Sequence, residues 1–342
     1  MAQASEFGAR QAARTALPAA PRLLIERVDT PEERRAELLA GLLAPRAAIS
    51  PKFFYDEQGS VLYQALCALD EYYPPRLEAG IFDHHEQAIA AALPNGGQWV
   101  DLGCGDGRKS WRWIEALEMR RYIGVDIAEA WLRTSLARAS RAFPRVTFDG
   151  VVTDFTRGLE IGRVLSQRPE LPCVFFYPGS SIGNFEPARA LDLLRSVRRH
   201  LAPRDRLLIG VDGLKPEAPL VAAYDDALGV TAAFNRNVLR VANRELGADF
   251  DPAAFDHQAL FDRAAGRIEM RLVARSAQRV RLGGGARVFA RGEAIVTEHS
   301  HKYAAEGFAS LLHEAGFGRL HHWTDPNHWY HVFVAEPAAY RQ

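Results

Sequence analysis

Short apolar runs alternate with amphipathic helical segments between residues 77 and 213. Helices are expected around residues 78–92 and from Ala188 to Leu201. The runs predict buried strands near residues 98–102, 121–126, 146–150, 172–177 and 206–212. Because short apolar strands that alternate with helices build parallel sheets joined by crossovers, this region predicts a doubly wound α/β sheet.

The pattern changes after Gly213. Over residues 217–246 the apolar positions have helical spacing, which predicts a helix. Apolar and polar residues then alternate with a period of two, which predicts antiparallel strands at residues 268–274, 278–282 and 286–297. After Ser300 the α/β pattern returns, as a helix at 304–315 and strands at 320–323 and 329–335. The pattern therefore indicates an antiparallel insertion within an α/β domain.

These elements divide the chain into two units. We expect residues 77–213 and 301–342 to form a Rossmann-like domain with a seven-stranded sheet, and residues 23–76 and 214–300 to form a second, α+β domain that binds the substrate. The functional site then lies in the cleft between them. Residues 1–22 are rich in Ala and Arg, lack the apolar core of a secretory signal, and are expected to form a mobile tail.

The amino-acid composition limits the classes of partner that the protein can bind. The 42 basic and 42 acidic side chains balance, which argues against nucleic acid or an anionic membrane as a partner. No apolar stretch approaches the roughly 20 residues of a membrane helix. Cys67, Cys104 and Cys173 lie far apart, which favours a reducing compartment. We expect a cytoplasmic monomer that acts on a small molecule.

A glycine-rich turn follows the first predicted strand of the sheet. Gly103, Gly105 and Gly107 lie at alternate positions, and Asp126 follows the next strand, placed to accept hydrogen bonds from ribose hydroxyls. Arg108 stands where a dinucleotide fingerprint has its third glycine. The turn resembles the first motif of class I S-adenosylmethionine (SAM) methyltransferases, which implies SAM as the methyl donor.

Two further loops follow predicted strands and should border the same crevice. Gly179 and Asn184 lie after strand 172–177, where Asn184 either contacts a polar substrate or caps the next helix. Asp154 and Phe155 follow strand 146–150. They either contact adenine, or act as a helix cap and a core side chain.

Aromatic and polar residues outside the cofactor strands form a second group of candidates. Tyr55, Tyr72 and Tyr224 are either core side chains or ligand contacts. Glu298 and Ser300 share one strand face, where an acid and a hydroxyl suit a nitrogen heterocycle, unless the strand is an exposed edge.

Histidine clusters raise the question of a metal. His299, His301, His321, His322, His328 and His331 are close in sequence, but their spacing matches no known metal site. Since methyl transfer needs no metal, we expect none.

From Pro51 to Pro337 the chain resembles the histidine-specific SAM-dependent methyltransferases of ergothioneine biosynthesis, which make histidine betaine (hercynine). The stretches that carry the resemblance are Lys52–Asp56 with Gly59-Ser60, Glu71–Arg76, Gly179–Asn184, Ala222–Asn237 with Asn243–Leu246, Ile268–Met270, Thr297–Ser300 and Trp323–Asp325. The resemblance implies a class I methyltransferase fold and three successive methylations of the α-nitrogen of L-histidine.

The resemblance also implies roles for individual residues. SAM would be held by Gly103, Lys109, Asp126, Asp154 and Phe155. The substrate would be held by Asn184 and Tyr224, with Gly179 nearby, at its carboxylate, by Tyr55 at its α-amino group, by Tyr72, Glu298 and Ser300 at its imidazole, and by Met270 in the pocket wall. Of these residues, Tyr55 and Asn184 are the catalytic candidates.

Two other functions stay open. His299 stands where the family commonly has a small apolar residue, which motivates another amino acid or small amine as the substrate. A non-catalytic SAM-binding module is the alternative from another class of protein.

Overall fold

The structure, a computed structural model, describes residues 20–26 and 28–339 of the chain. The mobile tail expected at residues 1–22 therefore falls almost entirely outside the described residues. None of the helices in the described ranges combines the length and apolar character that a membrane crossing requires.

Ten α-helices and thirteen strands make up the described part of the chain. The strands are β1 (Arg22–Ile25), β2 (Gln98–Leu102), β3 (Arg121–Asp126), β4 (Thr147–Val152), β5 (Cys173–Tyr177), β6 (Arg206–Asp212), β7 (Phe255–Asp262), β8 (Arg267–Ala274), β9 (Gln278–Leu282), β10 (Gly285–Phe289), β11 (Ala294–His301), β12 (Phe317–Thr324) and β13 (Tyr330–Pro337). The helices are α1 (Pro31–Leu43), α2 (Glu57–Cys67), α3 (Pro74–Ala91), α4 (Arg108–Ala116), α5 (Glu129–Ala142), α6 (Gly162–Leu165), α7 (Pro187–Arg199), α8 (Glu217–Tyr224), α9 (Val230–Leu246) and α10 (Ala305–Glu314).

The central sheet has the strand order β1-β4-β3-β2-β5-β6-β13-β12. The first six strands are parallel, and β13 runs antiparallel between β6 and β12. Strand order reverses between β2 and β5, which is where open α/β sheets bind their ligands. The predicted doubly wound architecture is confirmed.

The sheet has one strand more than the seven expected. The additional strand is β1, which pairs in parallel with β4, and Arg22 donates to Asp149 at 2.8 Å. The division made from the sequence assigned most of this strand to the second unit. Its four residues were too few to show a period, and only the sheet edge at β4 provides a partner.

The described part of the chain contains three apolar cores. Two cover the faces of the central sheet, packed by α3 to α5 on one side and by α7 and α10 on the other. The third contains side chains from the N-terminal segment and the insertion, among them Leu38, Phe53, Phe54, Leu220, Phe234, Phe255 and Ile295. The antiparallel insertion is thus packed on residues that precede the cofactor domain.

The insertion departs from the predicted elements in three places. The helix expected over residues 217–246 is broken between α8 and α9, because the Asp226 carboxylate caps α9 and Gly229 has a φ of +74°. The strand expected over residues 286–297 is two strands, separated by a turn at Gly292. Strand β7 was not predicted, since polar residues interrupt its apolar positions.

A buried ion pair between Arg121 and Asp149 lies in the central sheet. The Arg121 guanidinium is buried and donates to Asp149 at 2.6 Å and to the Val164 carbonyl at 2.9 Å. We expect Arg121→Met to lower the free energy of unfolding by about 3–5 kcal/mol, because Asp149 loses its buried partner while its described partner Arg22 is exposed. Urea unfolding measures the change.

The control for that measurement is Arg133→Met. Arg133 pairs with Glu129 on the exposed face of α5, so its loss is expected to cost at most about 1 kcal/mol. Equal losses in the two variants would contradict the importance of the buried pair.

Candidate active site

The glycine turn after β2 forms an open cradle. Gly103, Gly105 and Gly107 have φ values of +66°, +52° and +70°, a region that favours glycine. A Cβ placed on Gly105 would meet no atom within 4 Å, so this side of the turn has room for a ligand. The Asp126 carboxylate accepts from the Gly105 N–H at 3.0 Å and from the Ala128 N–H at 2.9 Å.

Phe155 and Asp154 border the same cradle. Phe155 Cζ lies 3.9 Å from the position that a Cβ on Gly103 would take. Asp154 Oδ1 accepts from the Thr156 N–H at 3.0 Å, so it caps the short 3-10 turn as the structural interpretation expected. Asp154 Oδ2 also lies 3.1 Å from Lys52 Nζ. An open glycine cradle, an acid after β3 and an aromatic ring beside it fit an adenosyl group.

Lys109 connects this cradle to the neighbouring loop. Lys109 Nζ donates to Glu78 Oε2 at 2.6 Å, and Glu78 Oε1 accepts from the Gly179 N–H at 2.7 Å and from the Tyr330 hydroxyl at 2.8 Å. Burial opposes charge on Lys109, but the attraction of Glu78 outweighs it and raises the pKa of Lys109. Glu78 thereby holds the cofactor candidate Lys109 and the Gly179 loop in one arrangement.

The substrate candidates line one cavity beside that loop. All eight residues to which the sequence assigned the substrate contribute to its wall: Tyr55, Tyr72, Gly179, Asn184, Tyr224, Met270, Glu298 and Ser300. Glu298 lies opposite Met270 in the pairing of β11 with β8. The rings of Tyr72 and Tyr224 meet edge to face with centroids 6.0 Å apart. Residues distant in the chain are therefore brought together.

The loop between β5 and α7 presents Asn184 to the cavity. Ser180 has a φ of +58°, and its hydroxyl accepts from the Asp212 N–H at 2.8 Å, which anchors the turn. The N-cap of α7 is Glu186. The alternative in which Asn184 caps that helix is therefore wrong.

Strand β11 delivers Glu298 and Ser300, both of which are buried. β11 is an edge strand of the sheet β11-β8-β7, as the alternative expected, but Glu298 and Ser300 are not exposed on it. Burial raises the pKa of Glu298 to about 7, and nearby Lys302 only partly opposes this. A carboxyl that changes charge near neutral pH thus lies in the cavity wall.

A buried polar cluster supports these residues from below. Lys302 Nζ donates to Ser300 Oγ at 2.8 Å and to the Tyr224 hydroxyl at 2.9 Å, and pairs with Asp212 Oδ2 at 2.9 Å. Lys215 is a second partner of Asp212 and donates to the Tyr73 hydroxyl at 2.7 Å.

The charges in this cluster influence one another strongly. Burial opposes the ionised Asp212, but the two lysines outweigh it and lower the pKa of Asp212. Burial likewise opposes the charged Lys302, and the attraction of Asp212 more than compensates, so the pKa of Lys302 is raised. For Lys215 burial prevails and lowers the pKa to about 8. The cluster therefore places positive charge beneath Tyr224 and Ser300.

His299 faces away from the cavity. Its Nδ1 lies 2.6 Å from Glu186 Oε1 and its Nε2 lies 3.1 Å from Glu269 Oε2. Candidate ligand atoms of Glu186, His299 and His301 lie within 4.8 Å of one another, but Arg267 also donates to Glu186 at 2.7 Å. These contacts form a polar network on the reverse face of β11, in which Arg267 is the cation paired with Glu186.

Sequence reasoning missed several residues of this site. Tyr63, Thr231 and Phe234 also line the cavity, while Glu78, Asp212 and Lys302 hold its walls. One signal was available, because the period of two that pairs Glu298 with Ser300 continues to Lys302. For Glu78 no local pattern distinguishes it from other helical acids.

The sheet order, the glycine cradle and the acid that ends β3 define a class I SAM-dependent methyltransferase. The particular family follows from sequence. The chain belongs to the histidine-specific, SAM-dependent methyltransferase family, whose model matches residues 34–337. The predicted resemblance is confirmed.

Curated relatives agree with this family. The histidine N-alpha-methyltransferase of Mycolicibacterium smegmatis is 42% identical over 305 residues, which cover 86% of this chain and 92% of the relative. The protein of the same name from Mycobacterium tuberculosis is 38% identical over 298 residues, covering 85% and 91%. Ergothioneine biosynthesis protein 1 of Neurospora crassa is 27% identical, with 80% of this chain and 32% of the relative covered.

The raised pKa of Glu298 predicts how the stability of the ligand-free protein depends on pH. A carboxyl with a higher pKa in the folded state binds its proton more tightly there. Its contribution to the free energy of unfolding therefore falls as pH rises from about 4.5 to about 7. Replacing it by a neutral amide in Glu298→Gln should remove a loss on the order of 3 kcal/mol.

The test compares urea unfolding of the two proteins at pH 5 and pH 8. The free energy of unfolding of the wild type, relative to that of Glu298→Gln, should be lower at pH 8 than at pH 5. A difference independent of pH would show that Glu298 titrates normally.

Proposed function

We propose that this enzyme transfers three methyl groups in succession from SAM to the α-nitrogen of L-histidine, as part of ergothioneine biosynthesis. The products are Nα,Nα,Nα-trimethyl-L-histidine (hercynine) and S-adenosylhomocysteine. The observation that carries the proposal is the single cavity lined by all eight substrate candidates, which meets Lys109 at Gly179. The family and the names of the relatives support histidine as the substrate.

Recognition of the amino acid divides between two groups of cavity residues. We assign the carboxylate to the amide of Asn184 and the hydroxyl of Tyr224, next to the Gly179 loop. Tyr72, Glu298 and Ser300 suit the imidazole, since a carboxyl group and a hydroxyl match its ring nitrogens. Met270 completes the pocket wall with a flexible side chain.

For the cofactor we assign Gly103, Lys109, Asp126, Asp154 and Phe155. The glycines let the protein backbone approach the cofactor closely. Asp126 accepts hydrogen bonds from the ribose hydroxyls, and the Lys109 ammonium pairs with the carboxylate of SAM. When bound, SAM supplies an electrophilic methyl group on a sulfonium.

Catalysis in this scheme is mainly positioning. Each transfer forms one N–C bond and breaks one S–C bond, whose electrons stay on sulfur, so the amine must present a neutral lone pair in line. The amino group of free L-histidine is protonated near pH 7, so it must release its proton to present that lone pair. After the first and second transfers the new ammonium releases a proton to solvent before the next transfer. Asn184 and the residues that contact the imidazole hold the substrate while methyl groups are added to its α-nitrogen.

Tyr55 is assigned to the α-amino group. Burial raises the pKa of Tyr55 well above its ordinary value, so the phenol stays neutral. A neutral phenol orients the amine by hydrogen bonding and does not act as a strong base. Tyr55 and Asn184 are therefore the proposed catalytic residues through placement of the nucleophile.

The alternative of another amine substrate was motivated by His299. Because His299 contacts Glu186 and Glu269 on the reverse face of β11, it does not change the cavity wall. The buried Glu298 and Ser300 instead favour a substrate with a nitrogen ring.

We further propose a cytoplasmic monomer in which residues 23–76 and 214–300 form the substrate-binding unit. The shared core of these segments supports the unit, and the free thiols of Cys67, Cys104 and Cys173 suit a reducing compartment. Light scattering on the purified protein measures the mass in solution.

Product mass tests the reaction directly. Incubation of the enzyme with L-histidine and SAM should yield mono-, di- and trimethylated histidine by mass spectrometry, with the trimethylated form accumulating. Methylation of other amino acids alone, with histidine unchanged, would contradict the proposal.

Glu298→Ala tests substrate recognition. Removing the carboxyl group leaves a ring nitrogen unpaired in a buried pocket, so kcat/KM for histidine should fall roughly 5- to 150-fold, which corresponds to about 1–3 kcal/mol. Affinity for S-adenosylhomocysteine should change by less than about twofold. Calorimetry showing equal losses for both ligands would argue against the assigned role.

A further inference from the structure

The hydroxyls of Tyr224 and Ser300 form a hydrogen-bonded pair in the wall of the cavity. Their oxygens are 2.8 Å apart, so one hydroxyl donates to the other. Both are buried and both line the cavity that we assign to the substrate. Which of them donates determines which hydrogen remains for a ligand.

Lys302 decides how many hydrogens the pair can offer. Its ammonium has three hydrogens, and its three partners are Tyr224 Oη, Ser300 Oγ and Asp212 Oδ2 at 2.8–2.9 Å. Each hydroxyl oxygen therefore accepts a hydrogen from Lys302. Of the two hydroxyl hydrogens, one is used within the pair, and only one is left to point into the cavity.

We propose that Lys302 is a positioning residue that orders this hydroxyl pair, so that Tyr224 donates to the substrate carboxylate and Ser300 accepts from an imidazole N–H. The inference rests on the proposed function. If Tyr224 gives its hydrogen to the carboxylate, Ser300 must donate to Tyr224 and has only a lone pair for the ring. One buried ammonium thus links recognition of the two ends of the amino acid.

The fixed position of Lys302 supports this role. Its side chain is fully buried, and the Asp212 carboxylate holds it from the end of β6. Tyr303, the next residue, donates its N–H to the Asp212 carbonyl at 3.0 Å, which anchors the backbone at the same point. The ammonium has no open direction in which to turn away from the two hydroxyls.

The chain contains a matched control in Lys215. Lys215 is equally buried and pairs with the same Asp212 carboxylate, but its further hydrogen bond goes to Tyr73. A variant at Lys215 removes one buried charge from Asp212, as a variant at Lys302 does. Only the latter also removes a donor to Tyr224 and Ser300.

The experiment compares Lys302→Met with Lys215→Met in steady-state methylation of L-histidine. We expect Lys302→Met to raise KM for histidine at least tenfold and to leave the affinity for S-adenosylhomocysteine within twofold. Lys215→Met should change KM for histidine by less than threefold. On a Ser300→Ala background the effect of Lys302→Met should shrink, because the pair it orders is already broken.

Several results would overturn the inference: equal increases in KM for the two lysine variants, additive effects of Lys302→Met and Ser300→Ala, or an equal loss of S-adenosylhomocysteine affinity. Thermal unfolding monitors folding, and Lys302→Arg replaces Lys302→Met if the latter does not fold. Arg keeps the charge beside Asp212 but not the geometry of the ammonium, so it should show the same rise in KM. A wild type that methylates histidine while the lysine variants behave alike refutes this inference alone, whereas a wild type inactive on histidine refutes the proposed function.

Discussion

The buried carboxylate of Asp212 holds the active site together. It ends β6 of the central sheet and pairs with Lys302, which follows the last strand of the insertion, and with Lys215, which leads into α8. A buried charge that loses its partner costs about 3–5 kcal/mol, so the three groups keep the sheet and the insertion in register. Within this arrangement Lys302 is the group that donates to Tyr224 and Ser300.

A second carboxylate does the same on the cofactor side. Glu78 accepts from Lys109, from the Gly179 N–H and from Tyr330, and so joins α3, α4, the loop after β5 and strand β13. Two buried acids thus define the boundary between the cradle and the cavity. Gly179 lies on a loop, and the buried charge of Glu78 on a helix determines where that loop lies.

Much of the fold could be predicted from local pattern, because apolar runs between helices are visible without any knowledge of distant contacts. Five parallel strands and the closing pair were placed from such runs. The break between α8 and α9 was missed although Asp226 and Gly229 are ordinary helix-boundary residues, since the apolar spacing continues across them. Strand β1 was missed because a four-residue strand exists only by pairing with β4.

The candidate site shows the same division between local and distant information. By itself the sequence determined the glycine turn, the acid after the second strand and the family motifs, since each is a contiguous stretch of chain with its own chemistry. Only the tertiary structure decided that His299 faces away from the cavity, that Asn184 is not a helix cap, and that Glu78 and Lys302 hold the walls. Those facts depend on contacts between residues far apart in the chain, and the burial that gives such charges their energetic weight exists only once the chain has folded.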